Sequence, residues 1–269
     1  MQNSNLADLF NIQRVLEELH YPDYKRVSLE ILEFVNTSNI SLPEVIKRLK
    51  ENEPWEYIQG YTQFCGFKFL VTRDTLIPRI ETEQIVYMVL EILKKDNDIY
   101  NIVDVGTGTG CIPISIRGLG NFSNMIYATD LSKKALEIAK MNEESILKGN
   151  YIHWMETDLI QDLSIKNGTL FTVNLPYIPT QTYMNLDRSV RDYEPRLALD
   201  GGFSGLILYE KLFKQILDKN IDTRYIIIET EESIFSETVE LVTKYFQKAK
   251  IDRIKDVYDR DRFLLVSFL

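Results

Sequence analysis

Apolar side chains recur at helical spacing along the first fifty residues of the chain. Leu6, Leu9, Phe10, Ile12, Val15, Leu16 and Leu19 form one stripe, which stops at Tyr21-Pro22. Val27, Leu29, Ile31, Leu32, Phe34 and Val35 form a second. Leu42, Val45, Ile46 and Leu49 form a third, opened by Ser41 as N-cap with Pro43 just inside. Residues 1–64 are therefore expected to fold as a small helical domain whose stripes are core. That domain has no catalytic constellation of its own, which assigns it to docking or covering a substrate. Pro54-Trp55-Glu56-Tyr57-Ile58-Gln59-Gly60 breaks the helical pattern, and Phe64, Phe67, Phe69 and Val71 then alternate like a strand bent at Gly66. Residues 65–81 read as a hairpin and hinge ending in the proline-marked stretch Leu76-Ile77-Pro78-Arg79-Ile80-Glu81-Thr82-Glu83. Within it, Arg79, Glu81 and Glu83 read either as a capping and salt-bridge cluster or as a lid at the mouth of a site.

An amphipathic helix is expected over residues 82–95, and the pattern then turns to strand and helix in alternation. Strands are expected near 101–105, 125–130, 151–155, 169–173, 224–229, 251–257 and 262–268, with helices over 111–118, 133–147, 204–218 and 231–248. Strands separated by helices imply right-handed crossovers and a parallel sheet. Asp259-Arg260-Asp261 leaves room only for a turn, so the last strand should run antiparallel. Residues 82–269 are thus expected to be an α/β domain with a seven-stranded, mostly parallel, doubly wound, Rossmann-like sheet.

Composition narrows the function. The 269 residues suit one large domain and a small one. A net charge of -9 and a pI near 5.0 speak against a partner held through its phosphates, so no direct nucleic-acid partner is expected. Cys65 and Cys111 provide neither a disulfide framework nor metal-ligand spacing, so no metal site is expected. The first residues show no basic and apolar leader pattern, and no apolar run reaches membrane-spanning length. A soluble, cytoplasmic protein is expected, with no membrane partner.

The chemistry sits at the ends of the expected strands. Ile102-Val103-Asp104-Val105 leads into Gly106-Thr107-Gly108-Thr109-Gly110, a turn where the absence of β-carbons lets the backbone approach a ligand. The third glycine comes one residue earlier than in dinucleotide binders. Asp130 ends the next strand, where a carboxylate can take both ribose hydroxyls. Asp104 and Asp130 together suit a cationic sulfonium nucleoside carrying an amino acid better than an anionic diphosphate, which points to S-adenosylmethionine. Asp158, after the third strand, reads either as a helix cap or loop carboxylate or as an acceptor for the adenine amino group, with Leu159 packing on the ring. Phe171-Thr172-Val173-Asn174-Leu175-Pro176-Tyr177 ends the fourth strand. Taken alone, Asn-x-Pro-Tyr reads as an Asn/Pro turn or as a clamp on a planar NH₂ group. In the clamp, the Asn174 side-chain oxygen and the carbonyl of Leu175 accept the two hydrogens, Pro176 shapes the turn, and Tyr177 offers a π face. Such a clamp aims a delocalised lone pair at an electrophile. Strand C-termini share one edge of a doubly wound sheet, so Asn174 should lie beside the cofactor's methyl group.

At this point the sequence resembles the protein-glutamine N5 methyltransferases that modify peptide chain release factors. Five stretches carry the likeness, in the family's order: 54–60, 76–83, 103–110, 173–177, and Arg191-Asp192-Tyr193-Glu194-Pro195-Arg196-Leu197-Ala198-Leu199-Asp200-Gly201-Gly202. The glycine turn and Asn-x-Pro-Tyr are shared with many amino-methyltransferases, whereas the Arg-Asp-Tyr-Glu-Pro block and the Leu-Ile-Pro-Arg segment are more specific. The resemblance implies a class I methyltransferase domain, S-adenosylmethionine as donor, and an N-terminal helical domain that binds the release factor. The substrate it implies is the glutamine of the Gly-Gly-Gln loop, whose methylation modulates translation termination. The sequence departs from the family at Leu175 and Ile80, where proline is usual, and at Ser189, where glutamate is common. Glu229-Thr230-Glu231-Glu232 also lacks a glycine that commonly follows the fifth strand. Rival readings are an adenine-N6 or other nucleic-acid amino-methyltransferase, a methyltransferase of a ribosomal-protein glutamine, and a cofactor-binding adaptor without activity.

Overall fold

The computed structural model describes residues 2–268, with side chains from Leu6 onward. In chain order the elements are α1 (Gln2–Glu18), α2 (Tyr24–Thr37), α3 (Leu42–Lys50), α4 (Trp55–Gln59), β1 (Tyr61–Phe64), β2 (Phe67–Leu70), α5 (Glu83–Leu93), β3 (Asn101–Val105), α6 (Cys111–Leu119), β4 (Met125–Asp130), α7 (Lys133–Leu147), β5 (Ile152–Glu156), β6 (Thr169–Val173), α8 (Thr180–Tyr183), α9 (Arg188–Arg191), α10 (Ile207–Asp218), β7 (Thr223–Glu229), α11 (Phe235–Tyr245), β8 (Lys250–Lys255) and β9 (Asp261–Ser267). They fall into two compact units.

The smaller unit runs up to Gly60 and takes in Asp187–Tyr193, a segment far away in sequence. Its core is the meeting of the apolar stripes: Ile12 and Leu16 from α1, Val27 and Ile31 from α2, Val45 and Leu49 from α3. Ser41 occupies the N-cap position of α3, yet its side chain makes no capping bond. Residues 54–60, expected only to break the helical pattern, form the short helix α4, which stops at Gly60 in a left-handed conformation (φ 83°). Trp55 of this helix is buried among the stripes and donates its indole N–H to Glu30 Oε2 at 3.0 Å. In the inserted segment the Tyr193 hydroxyl donates to the Glu51 carbonyl at 2.8 Å, which ties it to the end of α3.

The larger unit holds the hairpin β1–β2 and a seven-stranded sheet in the order β5-β4-β3-β6-β7-β9-β8. Neighbours run parallel from β5 to β7, while β9 lies antiparallel to both β7 and β8. The stretch from Phe64 to Val71, expected as one bent strand, is instead the turn and second arm of the hairpin. Cys65 (φ 50°) and Gly66 (φ 78°) both take left-handed conformations there and reverse the chain. The central strands are buried on both faces, so alternate residues feed two cores. Val103, Val105, Phe171 and Val173 pack with α10 and α11, whereas Ile102 and Leu170 pack with α5, α6 and the hairpin. Among the described residues, no helix is long and apolar enough to cross a membrane.

Candidate active site

Strand register decides what meets at one edge of the sheet. β3 and β6 are parallel neighbours whose last residues pair, Val105 with Val173. Gly106 and Asn174 therefore leave adjacent strand tips. Strand order reverses between β3 and β6, which is where open α/β sheets form a ligand crevice. The two motifs touch: a β-carbon on Gly106 (φ 74°) would lie 2.9 Å from Leu175 Cδ2.

The turn Gly106–Gly110 is tied to β4. The N–H groups of Gly106 and Thr107 both donate to the Thr129 carbonyl at 2.9 Å. Gly108 N–H donates to Asp130 Oδ2 at 2.9 Å, and Ser132 N–H to Oδ1 at 2.8 Å. Each oxygen of Asp130 thus holds one backbone proton and keeps a lone pair for a further donor. Burial pushes this carboxyl upward, against the N–H groups of Ser132, Gly108 and Leu131. From α7, the buried carboxamide of Asn142 donates to the Thr109 carbonyl at 2.9 Å and brackets both backbone groups of Leu70. A polar residue in mid-helix gave no sequence signal for this support.

Asp104, just before the turn, is fully buried and accepts from the Thr172 hydroxyl at 2.7 Å. Its Oδ2 has no hydrogen-bond partner within normal geometry among the described residues. Burial pushes the carboxyl up to about 6. A glycine turn without room for side chains, a carboxylate with a lone pair free on each oxygen, and an orphaned buried carboxylate oxygen fit a nucleoside that carries donor groups. The residues present fit S-adenosylmethionine.

Asp158 and Leu159, which follow β5, make their own contacts with α10. The Asp158 carboxylate pairs with Lys211 on α10, and its carbonyl accepts from Gln215 Nε2 at 3.2 Å. Leu159 (φ 59°) is 7% exposed and belongs to the core beside α10. The link to the site is through Thr157, whose N–H donates to the Asp130 carbonyl at 3.0 Å.

Asn174 is half-buried, and its Nδ2 donates to the Thr82 hydroxyl at 3.3 Å. Leu175 is buried, and its carbonyl accepts from the Tyr209 hydroxyl at 3.0 Å. The same hydroxyl lies 2.7 Å from the carbonyl of Glu229 at the tip of β7. Pro176 is half-buried in the turn, and Tyr177, also half-buried, leans on the core beneath it. Burial, then the neighbouring Glu229, pushes the Tyr177 phenol upward. Residues 199–202 fold against this turn. Ile178 N–H donates to the Leu199 carbonyl at 3.1 Å, and Gly201 N–H to the Ile178 carbonyl at 2.9 Å. Asp200 gathers the Thr180 hydroxyl (2.7 Å), Gly202 N–H (3.0 Å) and the Arg196 guanidinium.

The charged residues near the hinge make three separate bonds. Arg79 pairs with buried Glu194, which also accepts from Ile77 N–H at 3.1 Å. Glu81 pairs with Arg260 at 2.9 Å, and Glu83 accepts from Cys65 N–H at 2.7 Å. Sequence reasoning missed Thr82, Tyr209 and the placing of Glu229, because their bonds join residues far apart along the chain.

Comparison with known proteins gives concordant findings. Residues 81–164 match the family model described as Ribosomal protein L11 methyltransferase (PrmA). The chain is 34% identical over 263 residues to the release factor glutamine methyltransferase of Flavobacterium psychrophilum, covering 94% of this chain and 90% of that protein. It is 33% identical to the protein of the same name from Lactococcus lactis, covering 98% and 96%. Among solved structures, the hMettl16 catalytic domain in complex with MAT2A 3'UTR hairpin 1 superposes with a TM-score of 0.58 at 14% identity, over 73% of this chain and 72% of that one. At that identity the likeness concerns the fold, a class I methyltransferase fold.

Proposed function

The chain belongs to the release factor glutamine methyltransferases, and on that premise we propose how its residues divide the work of methylating the glutamine of a release factor's Gly-Gly-Gln motif. The donor is S-adenosylmethionine, which when bound supplies an electrophilic methyl carbon on a sulfonium. Gly106, Thr107, Gly108, Thr109 and Gly110 form its cradle, Asp130 takes the ribose hydroxyls, and Asp158 and Leu159 border the adenine. Asn174 Oδ1 and the Leu175 carbonyl accept the two hydrogens of the glutamine amide. That holds a poorly nucleophilic nitrogen in one orientation and stabilises the positive charge that develops on it. Pro176 shapes the turn, and Tyr177 packs against the amide plane. A carbonyl has two lone pairs, so Tyr209 can fix the Leu175 carbonyl and still leave it one for substrate. Leucine lacks the fixed φ of proline but keeps the carbonyl that the clamp needs.

The pairing of Val105 with Val173, which brings the glycine turn and the clamp to adjacent strand tips, carries this reading. A release factor is a cytoplasmic substrate, and we place the enzyme there. The test is mass analysis of an intact release factor after incubation with enzyme and S-adenosylmethionine, with a DNA oligonucleotide offered in parallel. One added methyl on the Gly-Gly-Gln glutamine is expected. Methylation of the oligonucleotide, or of neither, would overturn the assignment.

A further inference from the structure

A primary carboxamide has two ends of nearly equal shape and opposite polarity. Asn174 works as a clamp only if its oxygen faces the substrate amide. Turned over, it would aim N–H groups at hydrogens. Nothing in the local sequence Val173-Asn174-Leu175 chooses between the two orientations, so the choice must come from what holds the other end.

That end meets Thr82, 92 residues away in sequence. Thr82 closes the short 3₁₀ turn Ile80–Thr82, its N–H donates to the Arg79 carbonyl at 3.1 Å, and it is 2% exposed. Its hydroxyl has one proton to give and lone pairs to receive with. Beside it lies the carboxyl of Glu229, within hydrogen-bonding reach of the Thr82 side chain. Glu229 is itself 2% exposed, and its Oε2 has no partner among the described residues. Its position follows from the sheet: Val173 pairs with Ile228 across β6 and β7, so Glu229 stands next to Asn174 at the neighbouring tip. In the structure the Nδ2 end is the one that meets the Thr82 hydroxyl, so Oδ1 is the end turned away from it.

We propose that Thr82 is a positioning residue that sets which end of the Asn174 carboxamide faces the methyl acceptor. It acts through Asn174 and not on cofactor or substrate directly. The inference rests on the function proposed above, in which Asn174 Oδ1 receives an amide hydrogen.

Thr82→Val keeps the shape of the side chain and removes the hydroxyl, and Thr82→Ser restores it. The assay follows methylation of an intact release factor by the full chain, together with cofactor affinity by calorimetry. Thr82→Val should lower kcat about ten- to hundredfold, the scale of a misaligned reacting group, with cofactor affinity unchanged. Thr82→Ser should recover to within about threefold of the parent, because the bond and not the packing matters. A parent-like rate in Thr82→Val overturns the inference. So does a Thr82→Ser variant as slow as Thr82→Val, since the loss then comes from packing. If Thr82→Val does not fold, Thr82→Ala, which adds no bulk, takes its place with the same outcomes. An unmodified chain that leaves the glutamine untouched sinks the functional reading itself, and this inference with it.

Discussion

Leu175 stands against Gly106, its Cδ2 lying 2.9 Å from where a β-carbon on that glycine would be. The backbone of Gly106 is left-handed, a conformation that costs a residue with a β-carbon about 1–2 kcal/mol. An alanine methyl there would also push Leu175, whose carbonyl is half of the proposed clamp. Gly106→Ala should therefore weaken S-adenosylmethionine binding at least about tenfold, one decade being about 1.4 kcal/mol. It should also slow methylation at saturating cofactor. Calorimetric titration and the saturated rate measure the two effects separately. An unchanged saturated rate would mean that the contact does not reach the clamp.

Asn174 differs from Gly106 in serving the acceptor side. Removing one preorganised acceptor from a reacting centre lowers the rate about 10²–10³-fold. Asn174→Ala should show at least that loss in kcat on a release factor, with cofactor affinity within about threefold of the parent, less than one decade or about 1.4 kcal/mol. Parallel losses in both would reject the division between cofactor cradle and amide clamp.

The central strands were legible because two-sided burial writes them as apolar runs, as in Ile102-Val103 and Leu170-Phe171. The order along the chain of Gly106, Asp130 and Asn174 followed from the strands they end. The hairpin was less legible, since its turn places Cys65 in a left-handed conformation that cysteine rarely signals. Helix α4 spans five residues after a proline, too few to show a period. The insertion of Asp187–Tyr193 into the helical unit has no local signature, because it depends on the distant bond from Tyr193 to Glu51. Thr82 illustrates the general limit. Its neighbours in sequence mark a helix start, and its work depends on residue 174.

Tyr209 is fully buried, and its hydroxyl faces the carbonyls of Leu175 and Glu229, the tips of two neighbouring strands. Phenylalanine fills the same space and leaves both carbonyls without that donor. A buried polar group that loses its partner costs about 1–3 kcal/mol. Tyr209→Phe should lower unfolding free energy by that amount in denaturant titration. It should also reduce kcat, because the Leu175 carbonyl is no longer held. Parent-like stability would show that the two carbonyls find other donors.

Glu229 should also make stability depend on pH. Burial pushes its carboxyl from the ordinary 4.5 up to about 7, against the opposing pull of the Thr82 bond and Arg262. The folded chain then holds a proton that the unfolded chain has released, so stability falls as pH rises between those values. This contribution is fully present below pH 4.5 and is lost as pH passes through about 7. Asp104, pushed from 3.8 up to about 6 by burial, adds a slope of the same sign at lower pH. Glu229→Gln carries no titrating proton and should flatten the upper part of the slope while leaving that of Asp104. Between pH 5 and pH 8 the parent should lose on the order of 1–3 kcal/mol more unfolding free energy than the variant, one pKa unit being about 1.4 kcal/mol. Denaturant midpoints at the two pH values measure it. Equal losses in parent and variant would mean that Glu229 ionises in the folded chain as readily as in water.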